Sequence, residues 1–495
     1  MTDYKLKSLR GRQRRRFLKW MTATGAAVGM TGSDLLNFLA DEGGHGLAEA
    51  ATNSGHRALG VTCGNGVYAW FQELWPSPDV ALTAQTNNGF AGSSSWLYTP
   101  QHGYQDAYVG TLVQAEGGKP MYYGPDAPWF DHGAGVPVRP MTAMIAGNDE
   151  THTEFPESAA IVSGNASLPA TVGAIQSAKS SAVVPVLGID PLKYGRAQGA
   201  PDVVTAPTPE GIVDLFNSAA SQFTLATPED QELFETYYKA FVKLRHASGR
   251  SSWAPQLEIT KNAARLIGLN FEAALTPTGQ DLVDYGLAEM LGANLTAMQR
   301  NGLDVFGRTL ITVARAFKLG LSNSAIVALS PGPTSEQTFT DPHNTGDSAN
   351  TKDQGRNVTK YLGRILDGFY NDLATTEDPE DPGNNLDETT CFFAWGDTPH
   401  TPLQLNNWPD ATPQDSNWIY CMGQGQLNAG WYGQVHANGD VSGWDPTTGE
   451  DVMGQPASQT ANAAGAAVSY AVARGDMNTV SQYYVGPPID GVVKS

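Results

Sequence analysis

Asp341-Pro342-His343 is the tightest grouping of chemically capable side chains in the sequence. A carboxylate and an imidazole two residues apart in a loop can converge on one divalent ion, with Zn²⁺, Mn²⁺ and Ca²⁺ the candidates. Two ligands fall short of a catalytic zinc site, which takes three plus water. Surface loops are also rich in both residue types. Asp347 shares this loop, and a second loop carries Asp397, His400, Asp410 and Asp415. Thr151-His152-Thr153 sets a hydroxyl beside a base, the pairing of an activated nucleophile, and equally the polar opening of a helix. Gly64-Asn65-Gly66 lacks the third glycine of a dinucleotide loop. The sequence has no GxSxG elbow, no P-loop and no HExxH.

These groups must be held by strands. Residues 58–63 read as a first buried strand closed by Gly64-Asn65-Gly66. Residues 141–146 and 183–189 are further short apolar runs bounded by turn residues. Residues 325–329 form a continuous apolar strand, residues 331–355 a long polar loop, residues 356–373 a helix and residues 389–395 another strand. Strand, helix, strand at this spacing predicts a βαβ unit with both strands buried on two faces. In open parallel sheets ligands gather beyond the carboxyl ends of the strands. The loops after residues 63, 329 and 395 are therefore the expected site.

Residues 208–322 read as helical. Thr208-Pro209-Glu210 and Thr227-Pro228-Glu229 each set an N-cap threonine before a first-turn proline. Periodic apolar residues continue through 257–275 and 280–298. In residues 304–319, Phe306, Leu310, Val313 and Phe317 share one face, and Gly320 suits the stop. Residues 84–140 are rich in Gly, Pro, Ser and aromatics and read as a loop-rich insertion. Near the carboxyl terminus, residues 431–435 and 441–444 flank Asn438-Gly439, a hairpin signal, and residues 460–474 and 477–484 read as closing helices. The expected architecture is one large α/β domain over residues 51–495, a mainly parallel sheet flanked by helices, with a C-terminal β-hairpin and long loops.

Charge restricts the chemistry. The 495 residues carry a formal −20. Residues 1–50 hold eight of the 30 basic residues and five of the 50 acids, so residues 51–495 carry 22 against 45, a formal −23. Phosphate backbones require clustered Lys and Arg, which argues against nucleic acid as a partner and against anionic membrane surfaces. From Ile365 to Ala473 there is no Lys or Arg, yet there are fifteen acids and five of the eleven tryptophans: Trp395, Trp408, Trp418, Trp431 and Trp444. Phosphate or sulfate chemistry in that stretch requires a metal or cations from elsewhere. An exposed tryptophan row there would suit neutral sugar rings, whereas buried rings would be core. Glu377-Asp378-Pro379-Glu380-Asp381 reads as a solvated charged loop. Cys63, Cys391 and Cys421 sit in apolar runs and read as buried free thiols, with a disulfide or metal site as the alternative.

The basic amino terminus has the layout of an export signal. Gln13-Arg14-Arg15-Arg16-Phe17-Leu18-Lys19 precedes a weakly apolar run, residues 20–32, and Ala48-Glu49-Ala50 reads as a small-x-small cleavage site. Arg14, Arg15, Phe17, Leu18 and Lys19 match the twin-arginine pattern, with Gln where Ser or Thr is usual. Residues 1–50 are thus expected to be a removable signal and the protein to be periplasmic or extracellular. No later segment reaches 18 consecutive apolar residues, so no membrane span is expected.

At these loops the chain resembles an exported, twin-arginine family known as domain of unknown function 1501, related to the alkaline phosphatase and sulfatase superfamily. Residues 325–343 resemble that family's strand and Gly-aromatic-Asp-Thr-His loop, with Asp341 and His343 in the Asp and His places. Residues 394–399 resemble its Glu-Phe-Gly-Arg-Thr-Pro segment, Ser416-Asn417-Trp418 its Asp-His-Trp, residues 62–67 its Gly-Gly-x-Asp-Gly-Leu, and Thr151-His152 its Ser-His pair. The resemblance implies an alkaline phosphatase/sulfatase-like scaffold. It implies metal ligands at Asp341 and His343, joined by Asp415 after a one-residue shift, and a Thr151/His152 catalytic pair. Asn65, Asp397, His400, Asn417 and Trp418 fall among its substrate-binding loops. Yet Asn65 stands for Asp, Ala394 for Glu, Asp397 for Arg, and Ser416 and Asn417 for Asp and His.

The expected function is accordingly a non-catalytic binding or surface-assembly role, with exported envelope proteins or a glycan as partners, and no cofactor or a weakly held divalent metal. A metal-dependent phosphoester or sulfoester hydrolase is the second expectation. A carbohydrate-binding protein using the Trp-rich region is the third.

Overall fold

The computed structural model describes residues 56–63, 74–75, 77–78, 111–116, 119–123, 139–148, 160–179, 182, 184–189, 194–220, 270–329, 349–378, 380–396, 416–436, 441–453 and 457–494. Eight strands form the central sheet: β1 (Arg57–Cys63), β4 (Thr142–Asn148), β7 (Leu187–Ile189), β8 (Val204–Ala206), β9 (Ser324–Ala328), β10 (Thr390–Gly396), β11 (Ser416–Met422) and β12 (Gly430–Tyr432). Their order is β12-β4-β11-β10-β1-β9-β7-β8. Every pairing is parallel except the two made by β11. The remaining strands are small: β2 (Thr111–Glu116) with β3 (Lys119–Tyr123), β5 (Ile161–Ser163) with β6 (Ala166–Ser167), and β13 (Gln434–Val435), β14 (Val441–Trp444) and β15 (Asp451–Met453) in one sheet. The fold is therefore α/β, with a mixed, mostly parallel sheet and flanking helices.

β9 and β10 are parallel and buried, as continuous apolar runs in a two-sided sheet require. They are not neighbours, because β1 lies between them and pairs with both. Spacing predicts a crossover but cannot show that an earlier strand fills the gap. Gly60 makes this placement possible. A Cβ there would sit 2.6 Å from the Phe393 ring on the adjoining strand.

The helices are α1 (Leu168–Lys179), α2 (Pro209–Ala220), α3 (Phe271–Leu275), α4 (Gly279–Asp284), α5 (Ala297–Lys318), α6 (Ala349–Leu373), α7 (Ala457–Val472) and α8 (Met477–Val480). Thr208 caps α2, its Oγ1 accepting from the Gly211 N–H at 3.1 Å. α5 starts earlier than its apolar face suggested, because Thr296 and Gln299 form a capping box. It stops at Gly320, whose φ of +67° lets the Gly320 N–H bond Phe317 O and the Leu321 N–H bond Ala316 O, a Schellman closure. The apolar faces of α5 and α6 are buried against each other and the sheet, with Phe317 and Phe369 edge to face at 6.3 Å.

Three expectations are corrected. Residues 280–298 are not one helix. α4 ends, Gly286 turns the chain at φ +75°, and a 3-10 turn (Glu289–Gly292) follows. The break inserts Tyr285 against Gly368 and Leu287 against Gly307, glycines whose missing Cβ atoms leave the room. The loop-rich insertion contains a hairpin, β2–β3. Residues 431–435 do not form one strand. Trp431 and Tyr432 extend the central sheet beside β4, and Gly433, at φ +81°, turns the chain into β13, which pairs with β14 as the Asn438-Gly439 signal predicted.

Residues 1–55, the Thr227 cap and residues 257–269 lie outside the described residues. Among the described residues no helix is long and apolar enough to cross a membrane.

Candidate functional site

The parallel strands end together at one end of the sheet, the carboxyl end. Cys63 is level with Gly396, Thr62 with Ala328, and Ile189 with Val327. β11 runs the other way, so its first residues lie at the same end, with Ser416 level with Asn148. β4, β11, β10, β1 and β9 are consecutive neighbours. At about 4.8 Å per strand, their ends lie within roughly 19 Å of one another.

Each expected site residue is joined to one of those five ends. Asn65 follows Cys63 by two positions, Thr151 and His152 follow Asn148 by three and four, and Asp341 and His343 lie between β9 and α6. Asp397 and His400 follow Gly396, and Asp415 immediately precedes Ser416. These eight residues lie outside the described residues. Asn417 and Trp418 are described.

Asn417 is fully buried and sits where the β4–β11 ladder shifts: Asn417 pairs with Gly147 and Trp418 with Ile145, leaving Ala146 as the extra residue. Such a bulge bends the strand and re-aims its side chains. Trp418 is 3% exposed and meets Trp431 edge to face at 4.5 Å. Tyr420 and Trp75, 5.2 Å apart, continue this aromatic layer. Trp395 stacks on Phe393 at 5.4 Å on β10, and the Trp444 Nε1–H donates to Ile145 O at 3.0 Å. Trp395, Trp418, Trp431 and Trp444 are thus core rings, and the exposed tryptophan row is not formed by them; Trp408 lies outside the described residues. Alternating strand positions send such rings to an interior when a second layer covers the face, and nothing in the aromatic count distinguishes that from display.

The carboxyl end also receives helix starts. α2 begins three residues after β8, and α7 ends at the opposite end, where Val472 O accepts from the His56 N–H at the head of β1. α5 and α6 likewise lead into the heads of β9 and β10. The amino termini of α2 and α5 are capped, Thr208 and Thr296 accepting from the Gly211 and Gln299 N–H groups.

The acidic stretch is neutralised from outside. Arg57 pairs with Asp378, both about 1% exposed. Arg139 pairs with Asp387 at 3.1 Å and lies 4.5 Å over the Tyr370 ring. Lys318 pairs with Asp372, Arg474 with Asp381 at 2.8 Å, and Lys119 with Asp451 at 2.9 Å. The solvated-loop expectation for residues 377–381 is corrected at Asp378, which is buried; Glu377 is exposed, and Glu380 and Asp381 are half-buried. Asp378 also accepts from Thr389 Oγ1 at 2.6 Å and from the Glu380 N–H at 2.9 Å. Burial pushes its carboxyl upward, but Arg57 and these hydrogen bonds outweigh that and hold it below the ordinary value. The signal missed in the sequence was Arg57 itself, a lone cation heading an apolar strand, which must find a buried carboxylate.

Cys391 and Cys421 are free and buried, and burial pushes both thiols far up. Among the described residues no three His, Cys, Asp or Glu side chains converge as a metal site. No family model, curated protein or solved structure matches the chain.

Proposed function

We propose that the chain is exported by the twin-arginine route and acts outside the cytoplasm as a non-catalytic binding or surface-assembly component. Its scaffold is alkaline phosphatase/sulfatase-like, and its ligand is held at the carboxyl end of the sheet. The observation that carries this reading is the attachment of every candidate loop to five consecutive strand ends, combined with the residue types found there. Where the resembled family has carboxylates and imidazoles, this chain has Asn65, Ala394, Ser416 and Asn417. Ala394 lies inside β10, fully buried between Val61 and Tyr420, so no carboxylate is available from that position. Exported envelope proteins or a glycan are the partners this role calls for.

A metal-dependent phosphoester or sulfoester hydrolase is the second reading, favoured by Asp341 and His343 two residues apart in the segment between β9 and α6. Asp341, His343 and Asp415 would hold the metal, which would supply Lewis-acid activation, with Thr151 as nucleophile beside His152. The test is turnover of an aryl phosphate and an aryl sulfate by the purified full chain, with and without added Zn²⁺, Mn²⁺ or Ca²⁺. The binding reading expects none under any condition. Turnover that disappears in Asp341→Ala would replace it with the hydrolase.

A further inference from the structure

The opposite, amino end of the sheet carries a buried polar cluster that the proposed function does not use. Three segments meet there: the head of β1, residues 374–389 between α6 and β10, and the turn after α7. The His56 N–H donates to Val472 O at 2.9 Å and the Arg57 N–H to Thr389 O at 2.7 Å, so the backbone of β1 is tied to both neighbours. Arg57 pairs with Asp378 and Arg474 with Asp381. Glu380, on the same segment, accepts from the Asn323 side chain at 3.1 Å. Arg474 holds a φ of +55° as the left-handed residue that closes α7, its N–H bonding Ala471 O and the Gly475 N–H bonding Tyr470 O.

His56 sits inside this cluster, 6% exposed, and neither ring nitrogen completes a hydrogen bond. We propose that His56, Arg474 and Asp381 form an acid-sensitive latch that holds the entry of the chain into β1 against the end of α7. Arg57 and Arg474 are already paired, with Asp378 and Asp381. A proton on His56 adds a third cation beside Arg474, while Asp378 and Asp381 are already engaged. The ring then carries a charge at a site 6% exposed, and it is better accommodated in solvent. Reaching solvent requires release of the His56 N–H from Val472 O. Burial first, and Arg474 second, lower the imidazole pKa to about 4, with Asp381 and Asp378 pulling the other way.

A ring that titrates at its ordinary 6.5 when released, and near 4 when latched, makes opening about a hundredfold more favourable at pH 4 than at pH 7. Hydrogen exchange of the full chain, corrected for the intrinsic pH dependence and resolved by mass spectrometry, measures this. Peptides covering residues 56–57 and 474–475 should exchange about a hundredfold faster at pH 4 than at pH 7, while those covering β9 and α5 stay the better protected at both pH values. His56→Phe should abolish the acceleration, and Asp381→Asn, which removes a charge that favours the protonated ring, should enlarge it and extend it to lower pH. The same acceleration in His56→Phe, or β9 protection falling to the level of residues 56–57, would overturn the latch. So would a His56 ring resonance in the wild-type chain that titrates near 6.5, a measurement independent of whether either variant folds.

Discussion

Asp378→Asn should be among the most destabilising single substitutions outside the apolar core. The change keeps the side-chain shape and removes one charge, leaving the Arg57 guanidinium 1% exposed without its counter-ion. Breaking a buried pair from one side typically costs about 3–5 kcal/mol, because the remaining charge keeps its desolvation penalty. The Arg57 side chain has no easy route to water, since β1 is paired on both sides by β9 and β10. The paired change Arg57→Leu with Asp378→Leu removes both charges, and it should recover most of the loss. Urea denaturation followed by tryptophan fluorescence reads both quantities. Trp75, fully buried between Phe392 and Tyr420, reports on the adjoining strands. A loss below about 1 kcal/mol in Asp378→Asn would refute the reasoning, since that is the range of an exposed pair. A double variant no more stable than the single one would refute the account of where the cost arises.

Acid should weaken the fold in two stages. The folded His56 value near 4 lies below the unfolded 6.5, so its contribution is complete above pH 6.5 and is lost as pH falls toward 4. That difference is worth about 3 kcal/mol, and His56→Phe should flatten the pH–stability curve across this window. The Asp378 contribution persists above its unfolded value and is lost only as pH falls through its lowered folded value, so Asp378→Asn should flatten the more acidic limb instead. Gly60→Val should cost about 1–3 kcal/mol in thermal or urea unfolding, because its first side-chain atom lands on the Phe393 ring. Cys391 and Cys421 should resist thiol reagents at pH 8 in the folded protein and react once it is denatured; rapid labelling of the native chain would contradict their burial.

Much of the sheet was legible because local and global preferences agree there. Continuous apolar runs ending in turn residues located β1, β9 and β10, and the α6 face of Leu362, Ile365, Leu366, Phe369 and Leu373 is buried as its periodicity predicts. What escaped was set by partners distant in sequence. Gly60 looks like an ordinary strand glycine until Phe393 lies across it. Residues 285–287 read as helix because they fall inside the periodic run 280–298, yet Tyr285 and Leu287 pack on Gly368 and Gly307, off that path. Asp378 reads as a solvated charge because Arg57, 321 positions away, is its partner. The tryptophans count as an aromatic surface or as a core with equal ease, and only the layer covering β10 and β11 decides. The site was legible as a set of strand ends. The expected catalytic, metal and substrate-binding residues, Asn417 and Trp418 excepted, lie outside the described residues.

Metal content tests the central claim most directly. The full chain, incubated with Zn²⁺, Mn²⁺ or Ca²⁺, desalted and measured by plasma mass spectrometry, should retain far less than one equivalent of each. Asp341→Ala should then change nothing. One retained equivalent in the wild-type chain, lost in Asp341→Ala or His343→Ala, would contradict a degenerate site and make the carboxyl end of the sheet a metal centre.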